Sequence, residues 1–192
     1  MPFFYYYDPT YILVLIGAVL SLWASATVKS TYNKFSRVYS YSGLTGAQAA
    51  AQILRQAGIY DVRIEHVSGN LTDHYDPKAR VLRLSDSVYG SNSVAAIGVA
   101  AHECGHAIQH ARGYAPLSIR SALVPVANFG SSIAWPLIII GLIMNSQTSQ
   151  LFLNLGVIAF SMAVLFQIVT LPVEFNASHR AMQQLERTGI LG

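Results

Sequence analysis

Ala101-His102-Glu103-Cys104-Gly105-His106 is the stretch from which the rest of the chain is read. It has the form His-Glu-x-x-His. On a helix, residues four apart lie one turn from each other on the same face, so His102 and His106 project side by side. Two imidazoles so placed suit one Zn²⁺ ion, and the adjacent Glu103 reaches a water held by that ion. Zinc lowers the pKa of such a water toward neutrality, and a carboxylate then takes its proton. This is the chemistry of peptide-bond hydrolysis, with Glu103 as the catalytic base. The flanks favour a helix. Residues 93–111 are rich in Ala, Val and Ile, Ser91 or Ser93 supplies an N-cap, and Arg112-Gly113 with Pro116 supplies a stop. Gly105 costs about 1 kcal/mol relative to Ala in a helix interior, which points to close packing against another element. The plainer alternative is a helix whose two His only fill its polar face.

Composition sets the surroundings of this motif. The 192 residues are 53% hydrophobic and only 11% charged, against roughly 25% charged in a soluble domain. That length is one modest domain, or a small domain with membrane helices. Cys104 is the single cysteine. It excludes an internal disulfide framework and reads as a small buried helix residue. The net charge of +3 has no clustered basic stripe, so nucleic acid is not an expected partner.

Three stretches are long and apolar enough to cross a bilayer. Residues 10–28 carry no charge. The aromatic run before them, with Phe3, Phe4, Tyr5, Tyr6 and Tyr7, reads as an interfacial belt. Ala24-Ser25-Ala26 resembles a signal-peptide cleavage site. However, no Lys or Arg precedes the apolar run, whereas Lys29, Lys34 and Arg37 follow it. The positive-inside rule then places the N-terminus outside and residue 29 onward in the cytoplasm. Residues 121–173 contain no charged residue, and the polar break at 145–150 divides them into spans at 121–144 and 151–173. Pro125, Pro136 and Pro172 are tolerated in membrane helices whose neighbours re-satisfy the backbone. Arg120 before this hairpin, and Arg180 and Arg187 after it, put both its ends in the cytoplasm. A large buried soluble hairpin is the alternative, and a chain this small has little core to bury it in.

Between the first and second spans, residues 29–116 form a polar domain. Thr45-Gly46-Ala47-Gln48 is a capping box that opens a helix over 47–56, closed near Gly58. Residues 61–67 alternate partially and read as a strand; Ser68-Gly69-Asn70 is a turn. Residues 71–75 and 80–84 pair as a hairpin around Asp76-Pro77. The strand 80–84 is the last before the motif helix, and its edge is either free to hold an extended peptide or covered. His74 and Tyr75, near the hairpin, are weak candidates for substrate contact.

Glu174 stands where the third span meets the cytoplasm. Residues 174–192 should continue that helix outward. A catalytic zinc takes three protein ligands and leaves one position open, and the motif helix supplies two. Glu174 is either a third ligand or a solvated carboxylate.

His102-Glu-Cys-Gly-His106, the three spans, and Leu171-Pro-Val-Glu-Phe-Asn-Ala-Ser178 together resemble the neutral zinc metallopeptidases of bacterial membranes, the YugP-like group. More distantly the chain is similar to membrane-bound gluzincins such as the heat-shock membrane protease and the CAAX prenyl protease. The resemblance implies an α+β, mostly helical integral membrane protein: three transmembrane helices and a small zincin-like (minigluzincin) cytoplasmic domain. It implies Zn²⁺ held by His102, His106 and Glu174, and it implies the strand before the motif helix as substrate edge. The distant relatives carry an Asp four residues after the Glu, where this chain has Ser178. Members of the YugP-like group usually have Arg where His179 stands, and tend to run further than Gly192. His110 is the rival third ligand. Steps of four residues advance about 6 Å each, so His110 starts roughly 12 Å from His102 along a straight helix, too far for one ion to be shared by all three rings.

The expected activity is a zinc metalloendopeptidase acting on polypeptides, membrane proteins included, at the cytoplasmic face of the cell membrane. A site-2-type intramembrane protease would bury its motif in a span and use an Asp-Gly pair, neither of which is present here. A zinc-binding adaptor without turnover would not need Glu103 and would usually close with four side chains. His74, Tyr89 and His179 are the candidates for stabilising an oxyanion or contacting substrate.

Overall fold

The computed structural model describes residues 10–144 and 148–191. The aromatic run before residue 10, part of the polar break at 145–147, and Gly192 lie outside them. The described residues are mostly helical, with one small sheet.

Helix α1 (Thr10–Phe35) runs past the expected span by two turns. Its apolar side chains from Tyr11 to Val28 are exposed on all sides, as expected of a helix whose neighbour is lipid. Tyr32, near its end, donates a hydrogen bond to the Ser87 carbonyl at 3.3 Å, which ties α1 to the polar domain.

Helix α2 (Gly46–Gln56) starts on the capping box read from the sequence. Thr45 N–H donates to Gln48 Oε1 at 2.9 Å, and Gln48 N–H donates to Thr45 Oγ1 at 3.3 Å. Its inner face, Ala49, Ala50, Ile53 and Leu54, is buried. The sheet has the order β1 (Arg63–Val67), β3 (Val81–Ser85), β2 (His74–Asp76). β2 and β3 form the expected antiparallel hairpin, with His74 opposite Arg83 and Asp76 opposite Val81. β1 pairs with β3 in parallel, from Arg63 opposite Val81 to Val67 opposite Ser85.

That pairing corrects one expectation. The strand before the motif helix is the central strand, covered on both edges, and offers no edge to a peptide. Val81, Leu82 and Leu84 are fully buried, as in a strand enclosed on both faces and both sides. The edge strands are β1 and β2.

A single turn, α3 (Asp86–Tyr89), with no counterpart among the elements expected from sequence, leads to helix α4 (Val94–Ala111). Ser93 caps α4 by accepting from Ala96 N–H at 3.2 Å, and Gly113 leaves it at φ +63°. Helix α5 (Ala115–Ile143) follows with Pro116 in its first turn, six residues before the expected span. Helix α6 (Ser149–Thr188) is unbroken over 40 residues and passes through Pro172. α5 and α6 pack closely through small residues. A Cβ on Gly130 would stand 2.8 Å from the Ala159 carbonyl oxygen, and one on Gly156 2.6 Å from Ile138. Such contacts let membrane helices approach where no hydrophobic driving force separates them from lipid. Among the described residues, three helices, α1, α5 and α6, are long and apolar enough to cross a membrane.

Beyond the hairpin, the last turns of α6 dock on α4. Gly105 is the point of approach: a Cβ there would meet the Ala177 carbonyl oxygen at 2.3 Å. The core of the polar domain forms around this junction, from Ile53 of α2, Leu82 and Leu84 of β3, Ile97 and Ile108 of α4, and Ala181 and Ile190 from the end of the chain.

Candidate metal centre

The helical turn between His102 and His106 brings their rings to 4.9 Å, nearly perpendicular. Each ring is oriented by a bond at Nδ1. Ser178 Oγ lies 3.1 Å from His102 Nδ1, and Gln109 Oε1 lies 3.0 Å from His106 Nδ1. With Nδ1–H donating, each Nε2 is left to face the same space. Glu174 enters that space from α6. Its Oε2 stands 3.1 Å from His102 Nε2 and 3.5 Å from His106 Nε2.

These three ligand atoms all lie within 4.8 Å of one another. A tetrahedral ion with bonds near 2.0–2.1 Å needs ligand atoms roughly 3.3 Å apart. Two imidazole nitrogens and one carboxylate oxygen at this spacing fit Zn²⁺ and leave a fourth position.

Gln109 holds the arrangement together and was not singled out by sequence. It is fully buried, and its amide nitrogen donates to the Val173 carbonyl at 2.8 Å and to Asn176 Oδ1 at 3.0 Å. Asn176 in turn accepts from Arg180 Nε at 2.7 Å. The chain from His106 through Gln109 to α6 fixes the ring and the helix pair together. Ser178, where distant relatives carry Asp, still supplies His102 with an oxygen partner.

The three residues open into a cavity of about 220 Å³, also lined by Asp73, His74, Tyr75, Glu103 and Arg120. Glu103 is buried, and burial pushes its carboxyl above the ordinary range, against the pull of His106 and His102. His102 is shifted up in turn, chiefly by its hydrogen bond to Glu174. Cys104, on the far side of the helix, is fully buried near the Ala50 carbonyl, and its thiol is pushed up by burial.

His74, on β2, lines the cavity. Its Nδ1–H donates to the Thr72 carbonyl at 2.9 Å, with Arg83 Nη1 3.4 Å from Nε2. Tyr75 beside it reaches His110: the hydroxyl is 2.8 Å from Nδ1, and burial with the neighbouring Asp76 charge pushes its pKa up to about 12. His110 is thus engaged one turn away from the cluster. Tyr89 and His179 are placed elsewhere. Tyr89 packs edge-on against His66 at 5.5 Å, and His179 is exposed on α6 beside Gln183. Arg120, in sequence only a topology marker, points at Glu174, with Nη2 3.5 Å from Oε1.

His102, His106 and Glu174, which could hold one metal ion between α4 and the end of α6, fit a metallopeptidase with apolar helices long enough to cross a membrane. The chain belongs to the family described as "Putative neutral zinc metallopeptidase", which matches residues 10–192. It is 48% identical over 182 residues to "Putative membrane protease YugP" of Bacillus subtilis (strain 168), covering 94% of this chain and 80% of that protein. No solved structure matches.

Proposed function

We propose that this protein is a zinc endopeptidase of the cell membrane whose active site lies at the cytoplasmic membrane surface. The observation that carries the reading is the convergence of His102 Nε2, His106 Nε2 and Glu174 Oε2 beside a buried Glu103. His102, His106 and Glu174 are assigned as ligands. Zinc, when bound, supplies Lewis acidity: it polarises the scissile carbonyl and lowers the pKa of water. Glu103 takes the proton of the attacking water and passes it to the leaving amine. Burial raises its carboxyl above the ordinary range, and a carboxyl so raised holds the transferred proton more readily until it is passed on.

β2 replaces β3 as the proposed substrate edge. It is an edge strand, and His74 and Tyr75 on it line the cavity. An extended polypeptide pairing with its outer edge would pass the ligand cluster. Membrane proteins are the natural substrates of such a site, since Leu117, Arg120 and Ser121 at the root of α5 form part of the cavity wall.

Two measurements on the purified full chain in detergent test the proposal. Metal analysis should find one zinc per chain, and an unfolded polypeptide such as casein should be cleaved and protected by a chelator. Glu103→Gln keeps size and removes only the base, so it should retain zinc and lose hydrolysis by at least 10²-fold, the low end of about 10²–10⁴ for general-base catalysis. Normal cleavage by Glu103→Gln would overturn the mechanism. Zinc with no cleavage of any substrate by the wild type would favour a binding adaptor.

A further inference from the structure

Arg120 is the feature that the proposed chemistry leaves without a task. It sits on α5, outside both ligand-bearing helices, yet its guanidinium enters the metal cavity. The cavity wall carries three carboxylates, Asp73, Glu103 and Glu174, and Arg120 is its one Lys or Arg. The Glu174 carboxylate is divided between two neighbours. Oε2 faces the two imidazoles at 3.1 and 3.5 Å, whereas Oε1 faces Arg120 Nη2 at 3.5 Å. The guanidinium is not simply solvated either. Its side chain is 32% exposed, and its Nε is buried without a hydrogen-bond partner among the described residues. A buried N–H without a partner is costly. An arginine that met a carboxylate at will would do so with two parallel bonds. Here Nε is buried and a single Nη lies toward Oε1.

From this we infer that Arg120 is the positioning residue of the third ligand. It draws Oε1 away from the metal position, so that Glu174 coordinates through Oε2 alone and the fourth position stays open. The inference rests on the reading of Glu174 as a ligand. It gives α5 a part in the metal centre that neither the His-Glu-x-x-His helix nor α6 supplies. It also has a sign that simple electrostatics does not share. A cation close to the site repels a metal ion, so removing its charge alone would tighten zinc binding. Removing a positioning partner loosens it, typically 10- to 100-fold for groups that orient a metal ligand.

The test uses the full chain in detergent, with zinc affinity read by chelator competition and coordination read from the visible spectrum of the Co²⁺-substituted protein. Arg120→Gln should weaken zinc by about 10- to 100-fold. It should also lower Co²⁺ absorption, as Oε1 swings in and raises the coordination number. Unchanged or tighter binding with an unchanged spectrum would overturn the inference. Should Arg120→Gln fail to fold by circular dichroism, Arg120→Lys decides. It keeps the charge but not the fork or its reach, so a wild-type affinity and spectrum in that variant would overturn the inference as well. Glu174→Ala separates the two levels. If it keeps zinc, the ligand assignment itself fails. If it loses zinc while the Arg120 variants behave as wild type, the ligand assignment stands and only the role of Arg120 falls.

Discussion

At the scale of single residues, the proposed metal cluster is set apart by what each histidine does with its second nitrogen. His102 and His106 have Nδ1 engaged and Nε2 converging on Glu174, whereas His110 gives its Nδ1 to Tyr75 at 2.8 Å. Glu174→Ala should therefore lose most bound zinc, and His110→Ala should keep it while leaving the Tyr75 hydroxyl without its partner, at a cost of about 1–3 kcal/mol in stability. Zinc retained in Glu174→Ala and lost in His110→Ala would reverse the assignment. The same cluster sets a pH dependence. His102 is held above its ordinary value of 6.5, mainly by the hydrogen bond to Glu174. Metal binding needs the neutral ring, so a proton competes with zinc at low pH. A raised pKa extends that competition upward. Zinc affinity should rise with pH through 6.5 and continue to rise above it, levelling off only once His102 is neutral. Chelator competition across a pH series checks this, and an affinity already flat at 6.5 would contradict it.

At the scale of elements, the decisive contact is that of α4 with α6. Gly105 lies against the Ala177 backbone, where a Cβ would come within 2.3 Å of the carbonyl oxygen. Backbone cannot yield as a side-chain tip does. Gly105→Ala should cost about 1–3 kcal/mol as an overpacked junction, seen as a lowered Tm in detergent, and should weaken zinc because Glu174 rides on the displaced helix. A Gly105→Ala protein of wild-type Tm and zinc affinity would show that the junction is looser than this. Gly105 was legible in the sequence because a glycine amid a helical pattern asks for a neighbour. The capping box at Thr45, the cap at Ser93 and the three apolar runs were legible for similar reasons: each is a local signal carried by a few adjacent residues. The pairing of β1 with β3 was not. It is parallel and joins segments 18 residues apart in register, Arg63 with Val81, and no local pattern encodes which strand becomes the central one. The apolar run Val81-Leu82, with Leu84, hinted at enclosure, but a short apolar run does not by itself distinguish a central strand from a half-buried one. Gln109 and Arg120 were missed for a related reason. A buried glutamine between helices and an arginine turned toward a carboxylate 54 positions away are products of tertiary contact, and in sequence each looks like an ordinary polar residue at a helix end.

At the scale of the whole molecule, helix lengths bear on where the proposed site would lie relative to a bilayer. α5 has 29 residues and α6 has 40; at 1.5 Å per residue these are about 44 and 60 Å, against a hydrocarbon core of about 30 Å. The surplus lies at the ends away from the connection at 144–148. There α5 begins at Ala115, directly after α4, and α6 carries Glu174 and the turns that dock on Gly105. The ligand cluster therefore stands at the open end of the hairpin, and its side of the membrane is the side of Arg120, Arg180 and Arg187. Lys29, Lys34 and Arg37, after the first apolar run, fall on that same side if α1 crosses once. By the positive-inside rule the orientation proposed above puts this side in the cytoplasm and the hairpin tip outside. A tag inserted at Thr148 should be cut by protease in intact spheroplasts, whereas a reporter fused after residue 192 should be reached only after lysis. The opposite pattern, with Thr148 protected and the C-terminal reporter accessible, would invert the orientation. The ligand geometry would be unaffected, but the substrates would then be extracytoplasmic polypeptides.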